Sequence, residues 1–243
     1  MVPIQVFSNY IICATARSGS NVLCEILSSL DFVGKPEEHL WDPPDATPER
    51  LIDRWPRVRQ VGTGDNGVFG IKLMWYQMQR LECELPDVLD MRGDSLSCVL
   101  ATALAAPKYV YLTRRDRIRQ AISLIRAIQS GQWRSMDSSS STPRYDTASI
   151  TREVRSLEEE EATWEAFFTR NGVSPYRLTY EELVSTPQEV LAGLLSFLGH
   201  DTPITINFSA TRHRRQADNV TEEWLHRYER ECASESVNAR NGP

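Results

Sequence analysis

The chain is short of the residues that build disulfide frames, membrane spans and polyanion-binding surfaces. Five cysteines stand among 243 residues, an odd number scattered from Cys13 to Cys232 with no CxxC pair. That usage predicts reduced thiols and argues against a disulfide scaffold or a cysteine-rich zinc site. No apolar run reaches the roughly 18 to 20 residues that cross a bilayer. Met1-Val2-Pro3-Ile4-Gln5 lacks the basic group ahead of an apolar core that marks a secretory signal, so a cytoplasmic protein is expected. Positive charge is in deficit: 27 Lys and Arg against 33 Asp and Glu leave −6, which disfavours wholesale nucleic-acid binding. Internal repeats are missing too. Hydrophobic residues at 41% and charged residues at 25% describe an ordinary globular chain rather than a disordered or fibrous one.

What positive charge there is lies in one place. Lys108 to Ser135 holds seven Lys and Arg against a single acid, Asp116. A second short cluster follows at Arg212-His213-Arg214-Arg215. Cations concentrated on an acidic background point to a local anion site. A solvated helix face is the competing reading.

The hydrophobic pattern alternates strand with helix. Phe7 to Ala14 is an apolar strand, followed by a turn of small residues and a helix in which Leu23, Ile26, Leu27 and Leu30 share one face. Val68 to Trp75 and Tyr109 to Thr113 read as buried strands, the latter feeding a helix from Asp116 to Gln129. Tyr176 to Tyr180 is a short strand, and Thr186-Pro187-Gln188-Glu189 opens a helix with a capping-box pattern that ends at Gly199. Such alternation predicts an α/β fold, a central parallel sheet flanked by helices. Two stretches read as irregular: Leu40 to Pro56, with four prolines, and the serine tract from Met136 to Pro143. One domain over residues 1–235 is expected, with 236–243 as a flexible tail.

The turn after the first strand reads Thr15-Ala16-Arg17-Ser18-Gly19-Ser20-Asn21. A loop that opens a helix aims backbone N–H groups and a partial positive charge at whatever lies above it, which suits a phosphate. It is not a Walker A loop, because GxxxxGK[ST] and its lysine are absent. An ordinary strand-to-helix turn is the alternative. A second anion site is readable at Arg114 and Arg115, which end the third strand, and on the next helix, where Arg119, Ser123 and Arg126 share a face. Ligands of open α/β sheets bind at the carboxyl ends of strands, and guanidinium groups grip phosphate bidentately. Two phosphate sites on separate strand-loop-helix units imply a nucleotide phosphorylated at both ends.

Arg17-Ser18-Gly19-Ser20 and Arg114 to Ser123 resemble the 5′-phosphosulfate loop and 3′-phosphate motif of sulfotransferases that use 3′-phosphoadenosine 5′-phosphosulfate (PAPS). Further stretches resemble the bacterial trehalose 2-sulfotransferase family. They are Gly34-Lys35-Pro36-Glu37-Glu38, Gly70-Ile71-Lys72-Leu73-Met74-Trp75, Arg119 to Ser123, Arg126 to Arg134, and Arg215-Gln216 with Glu223-Trp224. The likeness runs in order from about Tyr10 to Arg230.

The resemblance implies a sulfotransferase fold with a P-loop-like sheet, and PAPS as co-substrate without a metal. It also implies a carbohydrate or glycolipid acceptor, and a homodimer. Arg17, Ser18, Gly19, Ser20 and Asn21 would hold the 5′ end. Arg114, with Arg115 as second choice, would hold the 3′-phosphate with Ser123, Arg215 and Gln216. Many cytosolic sulfotransferases read Lys-x-His on the second strand, with the histidine as base; here that position is Met74. The family places the base instead at Glu38, with Glu37 and His39 as neighbouring surface residues. Lys72 is then left for the sulfuryl oxygens, and Arg17, too basic to donate a proton, acts electrostatically. Trp75, Trp133 and Trp224 read equally as core or as walls of a sugar or adenine pocket. The acid run Glu158 to Glu161 reads as a solvated helix face.

Two other classes compete. A kinase needs a loop lysine and a magnesium carboxylate, and neither is visible. A nucleotide-binding module without transfer would keep the phosphate loops and have no use for Glu38. A sulfotransferase acting on a non-sugar hydroxyl is the third alternative.

Overall fold

The computed structural model describes residues 8–30, 32–43, 46–133, 141–200 and 219–240, the last six by backbone alone. Four strands, β1 (Tyr10–Ala14), β2 (Gly70–Leu73), β3 (Lys108–Thr113) and β4 (Tyr176–Thr179), form one sheet in the order β2-β1-β3-β4, every pair parallel. The register sets Ile12 beside Lys72 and Val110, and Ala14 beside Leu112. The crossover reverses direction beside β1, so the loop after β1 opens at the sheet's topological switch point.

The described residues divide into two compact units. The first comprises residues 1–113 and 160–211, the second 114–159 and 212–243. The first unit holds the sheet with helices on both faces. Period-two alternation along β1 explains both layers. Ile11 and Cys13 face one core with residues of α2 (Leu51–Gly62), α3 (Trp75–Val88) and α4 (Leu96–Leu104), and with Trp164, Phe167 and Phe168. Tyr10 and Ile12 face the other, with α1 (Ser20–Ser28), Leu183 of α7 (Tyr180–Ser185), and α8 (Pro187–Leu198). All five β1 residues are buried, the pattern of an interior strand in a parallel sheet.

The second unit is helical. Ala121, Ile122 and Ile125 of α5 (Arg117–Ser130) meet Ile150 and Leu157 of α6 (Thr147–Arg170), and Trp224, Leu225 and Tyr228 of α9 (Asn219–Arg240). Asp116 caps α5, its carboxylate accepting from the Arg119 backbone N–H at 2.9 Å. No helix among the described residues is long and apolar enough to cross a membrane.

Several local expectations need correction. The segment to Pro56 is not irregular throughout, because α2 starts at Leu51 and runs through the proline. Leu51, Trp55 and Val58 bury one face, and the carbonyl that Pro56 cannot bond belongs to the exposed Ile52. Thr186 makes no side-chain cap for α8; its hydroxyl donates back to the Glu182 carbonyl at 3.4 Å. The capping box lies at Thr179 and Glu182, on α7. The acid run is solvated only in part: Glu158 and Glu159 are exposed, whereas Glu161 is buried and Glu160 accepts from the Trp75 N–H at 3.2 Å, at the positive end of α3. Most of the serine tract and the Arg212–Arg215 cluster lie outside the described residues.

Candidate active site

The loop from Thr15 to Gly19 is built from backbone that L-residues seldom adopt. Arg17 has φ 60° and Gly19 φ 89°. At Gly19 an added Cβ would come within 2.5 Å of the Tyr180 ring, so conformation and packing both select glycine. Positive φ recurs at Asp90, Ala105 and Ala106, so what singles out this loop is its surroundings rather than strain alone. Ser18 is fully buried, and its Oγ finds no hydrogen-bond partner among the described residues. The first turn of α1 carries no acidic residue, and Gly19 supplies no side-chain cap. Together these leave an unspent hydroxyl and a positive helix end in one loop, which fits a phosphate or sulfate group.

Behind that loop lies a buried cation. Alternation along β2 sends Ile71 and Leu73 into the α2–α4 core and turns Lys72 to the α1 side of the sheet. Lys72 is 2% exposed. Its Nζ donates to Asn21 Oδ1 at 2.5 Å and pairs with Glu38 Oε2 at 2.8 Å. Asn21 therefore does more than line the loop, because its carbonyl aims the lysine.

Glu38 reaches Lys72 from the segment after Gly34. Gly34 has φ 78°, and a Cβ there would meet the Val68 carbonyl at 2.7 Å, so the chain lies against the strand entrance only with glycine. The Glu37 carbonyl accepts from the Lys72 backbone N–H at 3.0 Å. Beyond Glu38, the buried Arg54 donates to the carbonyls of His39 and Trp41, at 2.7 and 2.8 Å, and pairs with Asp42. Arg80 holds the other Asp42 oxygen at 2.8 Å. The carboxylate's Oε1 accepts from Tyr76 OH and from Gln77 Nε2, each at 3.1 Å.

Around it, Glu37 is exposed, and burial holds His39 below the ordinary histidine range. Burial likewise pushes the Cys24 thiol up to about 12, against the pull of Lys72, so it stays a neutral neighbour. Met74, at the place on the second strand where the Lys-x-His pattern would put histidine, is buried and brings no proton acceptor.

In the second unit, Arg114 is half-buried, Arg115 exposed and Ser123 half-buried. Arg119 is taken up by the acids of Glu222 and Asp116, which raise its basicity further, and Arg126 donates to Thr221 Oγ1 at 2.5 Å. Arg215 and Gln216 lie outside the described residues. The tryptophans separate by role. Trp224 is buried and meets Tyr145 edge-on, Trp75 packs edge-on against Trp164, and Trp133 is 45% exposed.

Thus Arg17, Ser18, Gly19, Ser20, Asn21, Lys72 and Glu38 come from one unit, and Lys72 joins Asn21 to Glu38 directly. Sequence reasoning missed Tyr76 and Gln77. Gln77 left a signal, since it shares the buried face of α3 with Met78, Leu81 and Leu85, where a polar residue is out of place unless it has partners.

The chain is similar to known proteins over most of its length. The family described as Stf0 sulphotransferase has a model that matches residues 9–56 and 43–231. The trehalose 2-sulfotransferase of Mycobacterium tuberculosis (strain ATCC 35801 / TMC 107 / Erdman) is 29% identical over 256 residues, covering 92% of this chain and 95% of that protein. That of Mycolicibacterium smegmatis is 28% identical over 263 residues, covering 94% and 97%. Among solved structures, the sulfotransferase domain from the curacin biosynthetic pathway aligns with TM-score 0.48 at 14% identity, covering 91% of this chain and 98% of that one.

Proposed function

The chain belongs to the Stf0 sulphotransferase family, and on that premise we propose that it moves a sulfuryl group from PAPS to a hydroxyl of a carbohydrate or glycolipid. The observation that carries this reading is the chain of contacts Asn21–Lys72–Glu38, which ties the anion loop to a carboxylate through a buried ammonium. A passive nucleotide module has no use for a carboxylate there. The mycobacterial relatives, named for trehalose, favour a sugar acceptor.

In the proposed reaction the acceptor oxygen attacks sulfur as the bond from sulfur to the 5′-phosphate oxygen breaks. That bond's electron pair leaves with adenosine 3′,5′-bisphosphate, and the acceptor proton passes to Glu38. Ser18, Gly19, Ser20 and Asn21 hold the 5′ end, Ser18 spending its unused hydroxyl there. Arg17 offsets charge on the leaving phosphate, which needs no proton near neutral pH. Lys72 has three N–H bonds and spends two on Asn21 and Glu38; the third is directed to the sulfuryl oxygens. The 3′-phosphate falls to Arg114, with Arg115 as alternative, and to Ser123, Arg215 and Gln216.

The test is mass-detected sulfate transfer from PAPS onto a panel of sugars, glycolipids and phenols, run with the parent chain and Glu38→Gln. Sugars should be preferred, and the variant should lose two or more orders of magnitude in turnover, roughly the scale of a lost general base. Faster transfer to phenols overturns the acceptor class, and a fully active Glu38→Gln removes the base.

A further inference from the structure

Glu38 is held unequally at its two oxygens. Oε1 accepts two hydrogen bonds, from Tyr76 OH and Gln77 Nε2, both at 3.1 Å. Oε2 has the Lys72 ammonium at 2.8 Å. The Gln77 amide cannot turn over, because its Oε1 accepts from the Met74 backbone N–H at 2.9 Å. An N–H donor must face the amide oxygen, so the amide nitrogen must face Glu38. Gln77 is fully buried, and its Nε2 donates also to the Tyr76 hydroxyl at 3.1 Å. The phenol therefore accepts from Gln77 and gives its own hydrogen to Glu38.

From this we infer that Tyr76 and Gln77 are positioning residues that saturate Oε1 and leave Oε2 as the atom that takes the acceptor's proton. The inference rests on the reading of Glu38 as base. A carboxylate oxygen has two in-plane lone-pair directions. Both are occupied at Oε1, whereas Oε2 keeps one beside Lys72. The same lysine then meets the sulfuryl oxygens and flanks the proton-accepting oxygen, so donor and acceptor are aligned through one side chain.

Among the described residues, Glu38 interacts with Lys72 from β2, Tyr76 from α3 and Cys24 from α1, and Glu37 and His39 flank it in sequence. Tyr76 stays protonated, since burial and the Glu38 charge both push its phenol well above the ordinary range. Cys24 is neutral for the same reason of burial.

Tyr76→Phe is the cleanest probe, because the side chain is 54% exposed and only its hydroxyl is lost. Gln77→Glu keeps an acceptor for the Met74 N–H while setting a second carboxylate beside Oε1. Both are compared with the parent and Glu38→Gln for kcat and KM, using PAPS and whichever panel sugar turns over fastest. Tyr76→Phe should lower kcat about three- to tenfold, with KM for the sugar unchanged within twofold. Gln77→Glu, which sets a negative charge against Oε1, should lower kcat further in the same way. Unaltered kcat in both variants, with or without a raised KM, overturns the inference while an inactive Glu38→Gln leaves the base in place. An active Glu38→Gln, or no transfer to any acceptor, overturns the reading beneath it.

Discussion

A lysine at 2% exposure is costly to keep charged, and its partners must repay the lost hydration. Lys72 meets that demand with one neutral acceptor, Asn21, and one anion, Glu38. A purely structural ion pair would be replaceable by apolar side chains of similar volume. Lys72→Met, which keeps the volume, separates the two roles. Turnover should fall by about two orders of magnitude, the scale of removing one electrostatic stabiliser from a transition state. Circular dichroism should show the variant folded, and a folded variant at full rate would end the assignment.

At the scale of elements, Glu38, the proposed base, depends on a segment with little regular structure. Residues 38–43 have no helix or strand and are tied down from outside. Arg54 on α2 holds the carbonyls of His39 and Trp41 and shares Asp42 with Arg80 on α3. Arg54→Ala would leave a partly buried carboxylate and two carbonyls short of donors, and should cost about 3 kcal/mol of stability. It should lower kcat as well, because Glu38 loses its fixed approach. Thermal unfolding and steady-state kinetics on one preparation check both; an unchanged Tm would mean the clamp holds nothing. The sheet strands and the starts of α1 and α5 were legible because apolar periodicity and turn residues are local signals. The start of α2 was not, since Pro56 argues against a helix locally while Leu51, Trp55 and Val58 are paid for by tertiary burial. Motif likeness singles out Glu38, Lys72 and Asn21, but the contacts among them join β2, α1 and the Gly34 segment across the sequence. Tyr76 and Gln77 were hidden for the same reason, their meaning set by a carboxylate 38 and 39 residues away.

For the whole molecule, family membership, the anion loop and the buried lysine support the proposal that a sulfuryl donor is bound through its phosphates. The loop, Lys72 and Glu38 lie in the first unit, and Arg114, Arg115 and Ser123 belong to the second. Net charge does not attract the donor, since the chain is acidic at −6, so attraction must come from these local cations. Binding should weaken with salt accordingly. Isothermal titration of the chain with adenosine 3′,5′-bisphosphate and with adenosine 5′-monophosphate tests this most directly. The 3′-phosphate should tighten binding at least about tenfold, as one charge-assisted phosphate contact allows. Equal affinity for the two nucleotides would contradict the account.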